Sequence, residues 1–115
     1  MTTTPMPTLF LVPRDTVANL AWEPLPGSPH VDNKVLYTTG THVAGLLRLH
    51  PGAREVTHVH VHGEHHIWVL AGSVWIDDTE LKADSYLHVP ARLSHTIEDG
   101  GVGSLLFYVF CPETD

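Results

Sequence analysis

The chain has 115 residues, the length of one domain of ordinary size, and its hydrophobic fraction of 43% is typical of a globular protein rather than a disordered one. Six basic residues against thirteen acidic ones give a net charge of −7 with histidine neutral, which excludes a general nucleic-acid binder and disfavours docking on an anionic membrane. No apolar run approaches the roughly 20 residues of a membrane-spanning helix, and no signal peptide is visible. Because the single cysteine, Cys111, cannot form an internal disulfide, we expect a cytoplasmic protein.

Nine prolines and nine glycines divide the chain into short runs rich in Val, Leu, Thr, Tyr and Trp, and no run has the pattern of a helix of normal length. A polar, flexible end over residues 1–7 is followed by predicted strands at Thr8–Val12, Lys34–Thr38, His42–His50, Glu55–Val61, His65–Ala71, Ser73–Ile76, Tyr86–Val89, His95–Glu98 and Ser104–Cys111. Turn sequences such as Ala71-Gly72 and Asp77-Asp78 separate them. Eight or more short strands at this spacing predict an all-β sandwich or barrel.

Histidine is the unusual residue of this chain. Ten histidines occur, and five of them fall within nine positions: His58, His60, His62, His65 and His66. Clustered imidazoles are typical of metal sites. Side chains of a strand alternate between its faces, so His58 and His60 share one face at about 6.6–7 Å along the strand. His65 shares its face with Ile67 and Val69, which indicates that it points into the interior.

The spacing of the histidines predicts a site for one metal ion. His58 and His60 can bind the same ion from one strand, the next strand can add either His65 or Glu64, and His95 can supply a fourth ligand from a distant strand. Such a set contains no thiolate and suits borderline divalent cations. The alternative is a solvated, histidine-rich face, which the short H-x-H pattern alone does not exclude.

The spacing around these histidines resembles the first motif of the cupins, which reads G-x(5)-H-x-H-x(3,4)-E-x(6)-G. Five residues separate Gly52 from His58-Val59-His60, and Gly72 closes the motif. Counting back from Gly72 places the acidic ligand position at His65, whereas a three-residue gap after His60 selects Glu64. We favour His65, because it lies in phase with the aliphatic residues that follow it.

The second cupin motif, G-x(5)-P-x-G-x(2)-H-x(3)-N, is matched in part. Asp84, Pro90, Arg92, His95 and Asp99 stand at its five positions, so both glycines and the Asn are replaced. The resemblance covers roughly Trp22 to Phe110. It implies an all-β cupin, a double-stranded β-helix or jelly-roll barrel, over residues 8–115, with His58, His60, His65 and His95 as metal ligands.

Among the cupins, the stretch from Trp22 to Ser73 resembles the single-domain, RmlC-like group. That group is similar to the cupin domain of zinc-dependent anti-sigma factors and to small dioxygenases that act on diketones and hydroxyaryl ketones. We expect no separate helical zinc domain of the anti-sigma type in 115 residues, which weakens the case for transcriptional control.

The resemblance implies one divalent transition metal ion per chain, with Fe(II) favoured and Mn, Ni, Zn or Cu as alternatives. It favours a mononuclear, dioxygenase-like enzyme acting on a small chelating carbonyl compound. A non-redox isomerase, lyase or cyclase and a non-catalytic sensor of a small ligand or metal are the alternatives. Catalysis is assigned to the metal centre, with Arg92 and Tyr108 as weaker candidates for substrate contacts.

We also expect a homodimer. A sandwich of this size leaves edge strands, which proteins normally pair or cover. The predicted strand Thr8–Val12 is apolar enough to join the sheet of a second copy, and Trp22, Trp68 and Phe107 are candidates for an apolar two-fold contact.

Overall fold

Short strands joined by tight turns make up nearly all of the chain. The computed structural model describes residues 6–57 and 62–113. Within them, one helix, α1 (Arg14–Asn19), precedes ten strands: β1 (Glu23–Pro24), β2 (Val31–Thr39), β3 (His42–Leu49), β4 (Arg54–Thr57), β5 (Gly63–Ala71), β6 (Ser73–Ile76), β7 (Thr79–Lys82), β8 (Tyr86–Val89), β9 (His95–Asp99) and β10 (Ser104–Pro112). The prediction of an all-β fold is confirmed. No helix of the described ranges is long and apolar enough to cross a membrane.

The strands form two antiparallel sheets that enclose the core. One sheet has the order β1-β2-β3-β10-β5-β8, and the other has the order β4-β9-β6-β7. Strand β10 lies between β3 and β5, so that Tyr108 is flanked by Gly45 and Ile67. The most deeply buried side chains come from both sheets: Val31, Leu49, Val69, Val74, Ile97 and Leu106. Burial of these aliphatic groups between the sheets is the main stabilising term of the fold.

Strand β5 shows the alternation that positions the candidate site. Ile67 and Val69 are 3% and 1% exposed, whereas Trp68 and Leu70 are 42% and 43% exposed. The odd-numbered residues of β5 therefore face the interior and the even-numbered ones face outward. His65 lies on the inner face by this alternation, as the sequence predicts.

Tight turns depend on residues in the left-handed region of the backbone. Asp77, with φ of 52°, lies in the two-residue turn of the β6–β7 hairpin. Gly72, with φ of 75°, joins β5 to β6, and a Cβ there would lie 2.2 Å from the Gly103 carbonyl oxygen. Asp84 and Arg92 have φ values of 72° and 66°. These two residues occupy the glycine positions of the second motif, so the chain keeps the backbone conformation that favours glycine without having glycine there.

A buried carboxylate fixes the loop that follows β9. Asp99 Oδ2 accepts the N–H groups of Gly52, Gly101 and Gly103 at 3.1, 2.8 and 3.1 Å, and Oδ1 accepts the Ser104 hydroxyl at 2.9 Å. Burial raises the pKa of Asp99, but these hydrogen bonds outweigh burial and hold the pKa below its ordinary value. The carboxylate therefore stays ionised and ties the start of β10 to the loop before β4.

The structure differs from the sequence prediction at both short and terminal elements. The strand predicted at Thr8–Val12 is wrong, because within residues 6–57 and 62–113 these residues pair with no strand, and Leu9 and Phe10 are 86% and 63% exposed. Helix α1, the two-residue β1 and the strand β7 were not predicted. A helix of six residues without a buried side chain carries no detectable apolar period, and β7 is mostly exposed.

Candidate metal site

Two of the predicted metal ligands face each other across the interior. His65 extends from β5 of the six-stranded sheet, and His95 extends from β9 of the four-stranded sheet. Their ring centroids lie 6.2 Å apart. The side chain of His95 is only 7% exposed, and its strand neighbour on the inner face, Ile97, is fully buried. The fold therefore brings together imidazoles that are 30 positions apart in sequence.

The surroundings of His65 favour its neutral form. Burial, together with the nearby charges of His95 and His66, lowers the pKa of His65 to about 4. Near neutral pH the imidazole therefore keeps an unprotonated nitrogen. A neutral imidazole is the form that binds metal ions.

A carboxylate that the sequence analysis did not select lies beside His95. Glu55 is buried on the inner face of β4, directly opposite Ile97, and its Oε2 lies 3.6 Å from His95 Nε2. Glu55 lies two positions after Ala53, which is also buried, so the alternation of side chains along an extended chain places both on the inner face. Glu55 therefore places a carboxylate oxygen, a possible metal ligand, between the sheets beside His95.

The first two predicted ligands, His58 and His60, lie outside the described residues. Their neighbours on the same predicted face are described: Val56 is 44% exposed, and His62 is exposed. Alternation alone therefore does not direct this face inward, and the assignment of the pair depends on the motif.

The two alternatives for the third ligand lie on opposite faces of β5. His65 is on the inner face with His95, whereas Glu64 points outward and its Oε2 lies 2.8 Å from His88 Nε2. His88 is exposed on β8, so it lines the outer surface rather than the interior. Of the two, therefore, only His65 can reach an ion between the sheets together with His95.

Two aromatic residues of β10 lie on the inner face of the sheet, Phe110 beside His65 and Tyr108 beside β3. The rings of Phe110 and His65 have centroids 4.9 Å apart. Tyr108 is buried, its hydroxyl donates to Asn33 Oδ1 at 2.7 Å, and burial raises its pKa. The Tyr108 ring lies against Gly45, where a Cβ would come within 2.8 Å of the Tyr108 hydroxyl oxygen. Tyr108 therefore contributes to the inner wall as a neutral phenol.

Arg92, the other candidate for a substrate contact, is on the surface. Its Nη2 lies 2.9 Å from Glu113 Oε2, and its side chain is 67% exposed. This ion pair links the β8–β9 turn to the residue after β10. The observed contact is with the protein's own carboxylate, so nothing in this arrangement directs Arg92 at the interior.

The donors that the described residues bring together fit a divalent transition metal. His65, His95 and Glu55 come from three strands of the two sheets and supply imidazole nitrogen and carboxylate oxygen. These donors, without thiolate, suit Fe(II), Mn(II), Ni(II), Zn(II) or Cu(II). The ring of Phe110, next to that of His65, would shield one side of a bound ion from water.

Comparison with protein-family models decides the family. The model of the ChrR cupin-like domain matches residues 15–112. The chain belongs to the ChrR cupin-like family. The predicted resemblance to small cupins is thereby confirmed, and the two-sheet architecture is that of a cupin jelly roll. No protein with a curated description matches the chain.

Several solved structures share the cupin fold with this chain. The Rhodobacter sphaeroides complex of SigE with the anti-sigma ChrR matches with a TM-score of 0.69 at 21% identity, over 83% of this chain and 50% of the matched chain. The polyketide cyclase RemF of Streptomyces resistomycificus gives 0.72 at 21%, over 89% and 80%. A candidate acetylacetone dioxygenase from Methylibium petroleiphilum gives 0.74 at 14%, over 96% and 81%. This cupin spans half of the chain that it matches in the ChrR complex.

Proposed function

We propose that this cupin binds one divalent transition metal ion between its sheets, with His58, His60, His65 and His95 as ligands. The observation that supports the proposal is the approach of His65 and His95 from opposite sheets, with ring centroids 6.2 Å apart and His95 almost fully shielded from water. Glu55, whose Oε2 lies 3.6 Å from His95 Nε2, adds a carboxylate oxygen to the donors at this position.

We further propose that the site acts on a small chelating carbonyl compound, such as a diketone or hydroxyketone, with Fe(II) as the favoured ion and oxygenase chemistry as the favoured reaction. A bound ion would supply Lewis acidity and open positions for a substrate with two oxygen donors. Phe110 would pack against the substrate, and the neutral hydroxyl of Tyr108 would remain bonded to Asn33. The candidate acetylacetone dioxygenase among the similar structures is consistent with this substrate class.

Metal analysis of the protein purified without chelators tests the ion site. We expect about one equivalent of metal per chain at the interior site, and a clearly lower metal content in His95→Ala and His65→Ala, because removal of even an indirect partner of a metal ligand lowers metal affinity by about 10–100-fold. His42→Ala is the matched control, since His42 is exposed on β3. Full occupancy in His95→Ala would refute the site.

Oxygen uptake by the Fe(II)-loaded protein with acetylacetone as the probe tests the reaction. Uptake that depends on His95 supports the oxygenase proposal. Conversion of a diketone without oxygen uptake would instead support the non-redox isomerase, lyase or cyclase alternative. Tight binding of acetylacetone without any turnover would contradict both enzymatic proposals.

A non-catalytic module that binds a metal or small ligand is the second candidate function, and the match to the ChrR cupin-like family favours it. A structural metal site has a filled coordination shell, whereas a catalytic site keeps an open position. X-ray absorption of the metal-loaded protein before and after addition of acetylacetone separates the two. An unchanged first shell supports the module and contradicts the enzyme.

We propose that the protein is a homodimer in which the N-terminal segment of each copy covers the other. Leu9, Phe10 and Leu11 are 86%, 63% and 73% exposed, although the Phe10 ring lies 4.8 Å from the Tyr37 ring of β2. Of the predicted apolar contacts, Trp22 is instead covered by the cations of Lys34 and Arg48, at 4.6 and 4.4 Å from its ring centroid.

An edge of β2 that is only partly paired supports a dimer. Strand β2 pairs along one edge with β3, and on the other edge β1 covers only Asp32 and Asn33. In the described part of the chain, the remaining edge up to Thr39 pairs with no other strand, and such edges are normally covered. Sedimentation velocity at micromolar concentration should show a dimer for the full chain and a monomer after deletion of residues 1–12. A monomeric full chain would refute the dimer.

A further inference from the structure

A cluster of three metal-binding side chains lies on the outer face of the six-stranded sheet, on the opposite side of β5 from His65. Glu64 and His66 point outward from β5, and His88 points outward from β8. His66 and His88 are directly opposite each other in the antiparallel register, and their rings stack with centroids 5.0 Å apart. The cluster therefore bridges an edge strand and its inner neighbour.

The ligand atoms of this cluster converge. Glu64 Oε2 lies 2.8 Å from His88 Nε2, and Glu64 Oε1 lies 3.2 Å from His66 Nε2. All three residues offer ligand atoms within 4.8 Å of one another. Ligand atoms around a tetrahedral zinc ion lie about 3.3 Å apart, given bond lengths of about 2.0–2.1 Å. Small side-chain rotations are thus sufficient to place the three donors around one ion.

Tyr86 orients the imidazole ring of His66. The Tyr86 hydroxyl is hydrogen-bonded to His66 Nδ1, the nitrogen that does not face Glu64. In the structure, His66 Nε2–H donates to the Glu64 carboxylate, and Nδ1 accepts from the Tyr86 hydroxyl. A bound cation would take the place of the Nε2 proton, and the neutral imidazole would then carry its proton on Nδ1 and donate it to the Tyr86 hydroxyl oxygen. Histidine ligands of metal ions are generally oriented by a hydrogen bond of this kind at the other ring nitrogen.

The chemistry and exposure of the cluster indicate the type of ion. The side chains of Glu64, His66 and His88 are 43%, 37% and 41% exposed, so an ion can enter and water can complete its coordination. Two imidazoles and one carboxylate form a set that zinc uses when it keeps an open position. Only one of these three donors is a carboxylate, which disfavours calcium or magnesium, because those ions prefer several oxygen ligands.

We infer that Glu64, His66 and His88 form a second cation site, which binds zinc and so links the edge strand β8 to β5. The inference does not depend on the interior site, because it uses none of its residues. Strand β8 has only four residues, and its far edge is unpaired among the described residues. A bound ion would therefore stabilise the strand that precedes the turn leading to His95.

Zinc titration of the full chain against a chromophoric chelator tests the inference. We expect His88→Ala and His66→Ala to lose one zinc equivalent, with at least about a 100-fold rise in the Kd of that equivalent, and Tyr86→Phe to raise it about tenfold because the ligands remain. His42→Ala, which removes an exposed histidine of β3, should leave the titration unchanged. Zinc should also raise the Tm of the wild-type protein but not of His88→Ala.

The double variant His65→Ala/His95→Ala separates the two sites. It should keep one zinc equivalent, and that equivalent should disappear when His88→Ala is added. If the double variant does not fold, the loss of one equivalent in the exposed single variants gives the same answer. Unchanged zinc binding in both His88→Ala and His66→Ala would overturn the inference and leave an exposed hydrogen-bonded cluster only.

Discussion

The two faces of β5 place chemically similar residues in opposite environments. Glu64, His65 and His66 are consecutive, yet only His65 faces the interior. Burial lowers the pKa of His65 to about 4, whereas hydrogen bonds from His88 and His66 lower the pKa of the exposed Glu64. Strand alternation, rather than distance along the chain, decides which residue belongs to which site. A one-residue change of register would exchange the two sets.

The largest expected effect comes from mutating neighbours on the two faces. His65→Ala should remove the metal of the interior site and leave the outer zinc equivalent, and Glu64→Ala should do the reverse, each with at least about a tenfold change in affinity. Metal analysis combined with zinc titration measures both in the same samples. If Glu64→Ala empties the interior site while His65→Ala does not, the register of β5 has been assigned incorrectly.

The second comparison concerns two aspartates, one buried and one on the outer face of the six-stranded sheet. Asp99 is buried and accepts three backbone N–H groups and one hydroxyl, whereas Asp32 lies on the outer face against Arg48, at 2.8 Å. Asp99→Asn should lower the free energy of unfolding by about 2–4 kcal/mol, because an amide cannot accept all of these bonds. Asp32→Asn should cost within about 1 kcal/mol. Urea unfolding measures both, and equal costs would contradict the comparison.

The pH dependence of stability follows from the same carboxylate. The pKa of Asp99 in the folded state lies below its ordinary value of 3.8. Its contribution to stability is therefore fully present above about pH 4 and is lost as the pH falls through the folded-state pKa. Asp99→Asn should be less stable than the wild type at pH 7, and the difference should shrink toward pH 2. A difference that stays constant over this range would show that the carboxylate's charge is not involved.

Much of the fold could be predicted from local patterns. Ser73–Ile76 and Tyr86–Val89 have the predicted bounds, because turn residues flank both runs. The inward direction of His65 followed from its phase with Ile67 and Val69. The N-terminal segment was harder to predict, because the apolar run Thr8–Val12 has the composition of a strand but pairs with no strand in the described part of the chain.

Other features of the two candidate sites could not be predicted because they depend on pairing between distant segments. A glutamate in a strand is normally exposed, so the sequence alone does not indicate that Glu55 is buried; the pairing of β4 with β9 brings it beside His95. The pairing of Glu64 with His88 depends on the register between β5 and β8, and 24 positions separate the two residues. Periodicity assigns a residue to a face, but it does not give the neighbour across the strand.

The smallest expected effect concerns the turn that joins β8 of the outer site to β9 of the inner site. Arg92 has φ of 66°, which costs a residue with a Cβ about 1 kcal/mol relative to glycine. Its exposed ion pair with Glu113 contributes little. Arg92→Gly should therefore be more stable than Arg92→Ala by about 1 kcal/mol. The Ala variant is the control that removes the ion pair alone.

Both Arg92 variants should bind metal at both sites as the wild type does, since neither changes a ligand. Equal stability of the two variants would show that the loop relaxes around the Cβ, and lower metal content in either would show that the turn transmits its geometry to His88 or His95.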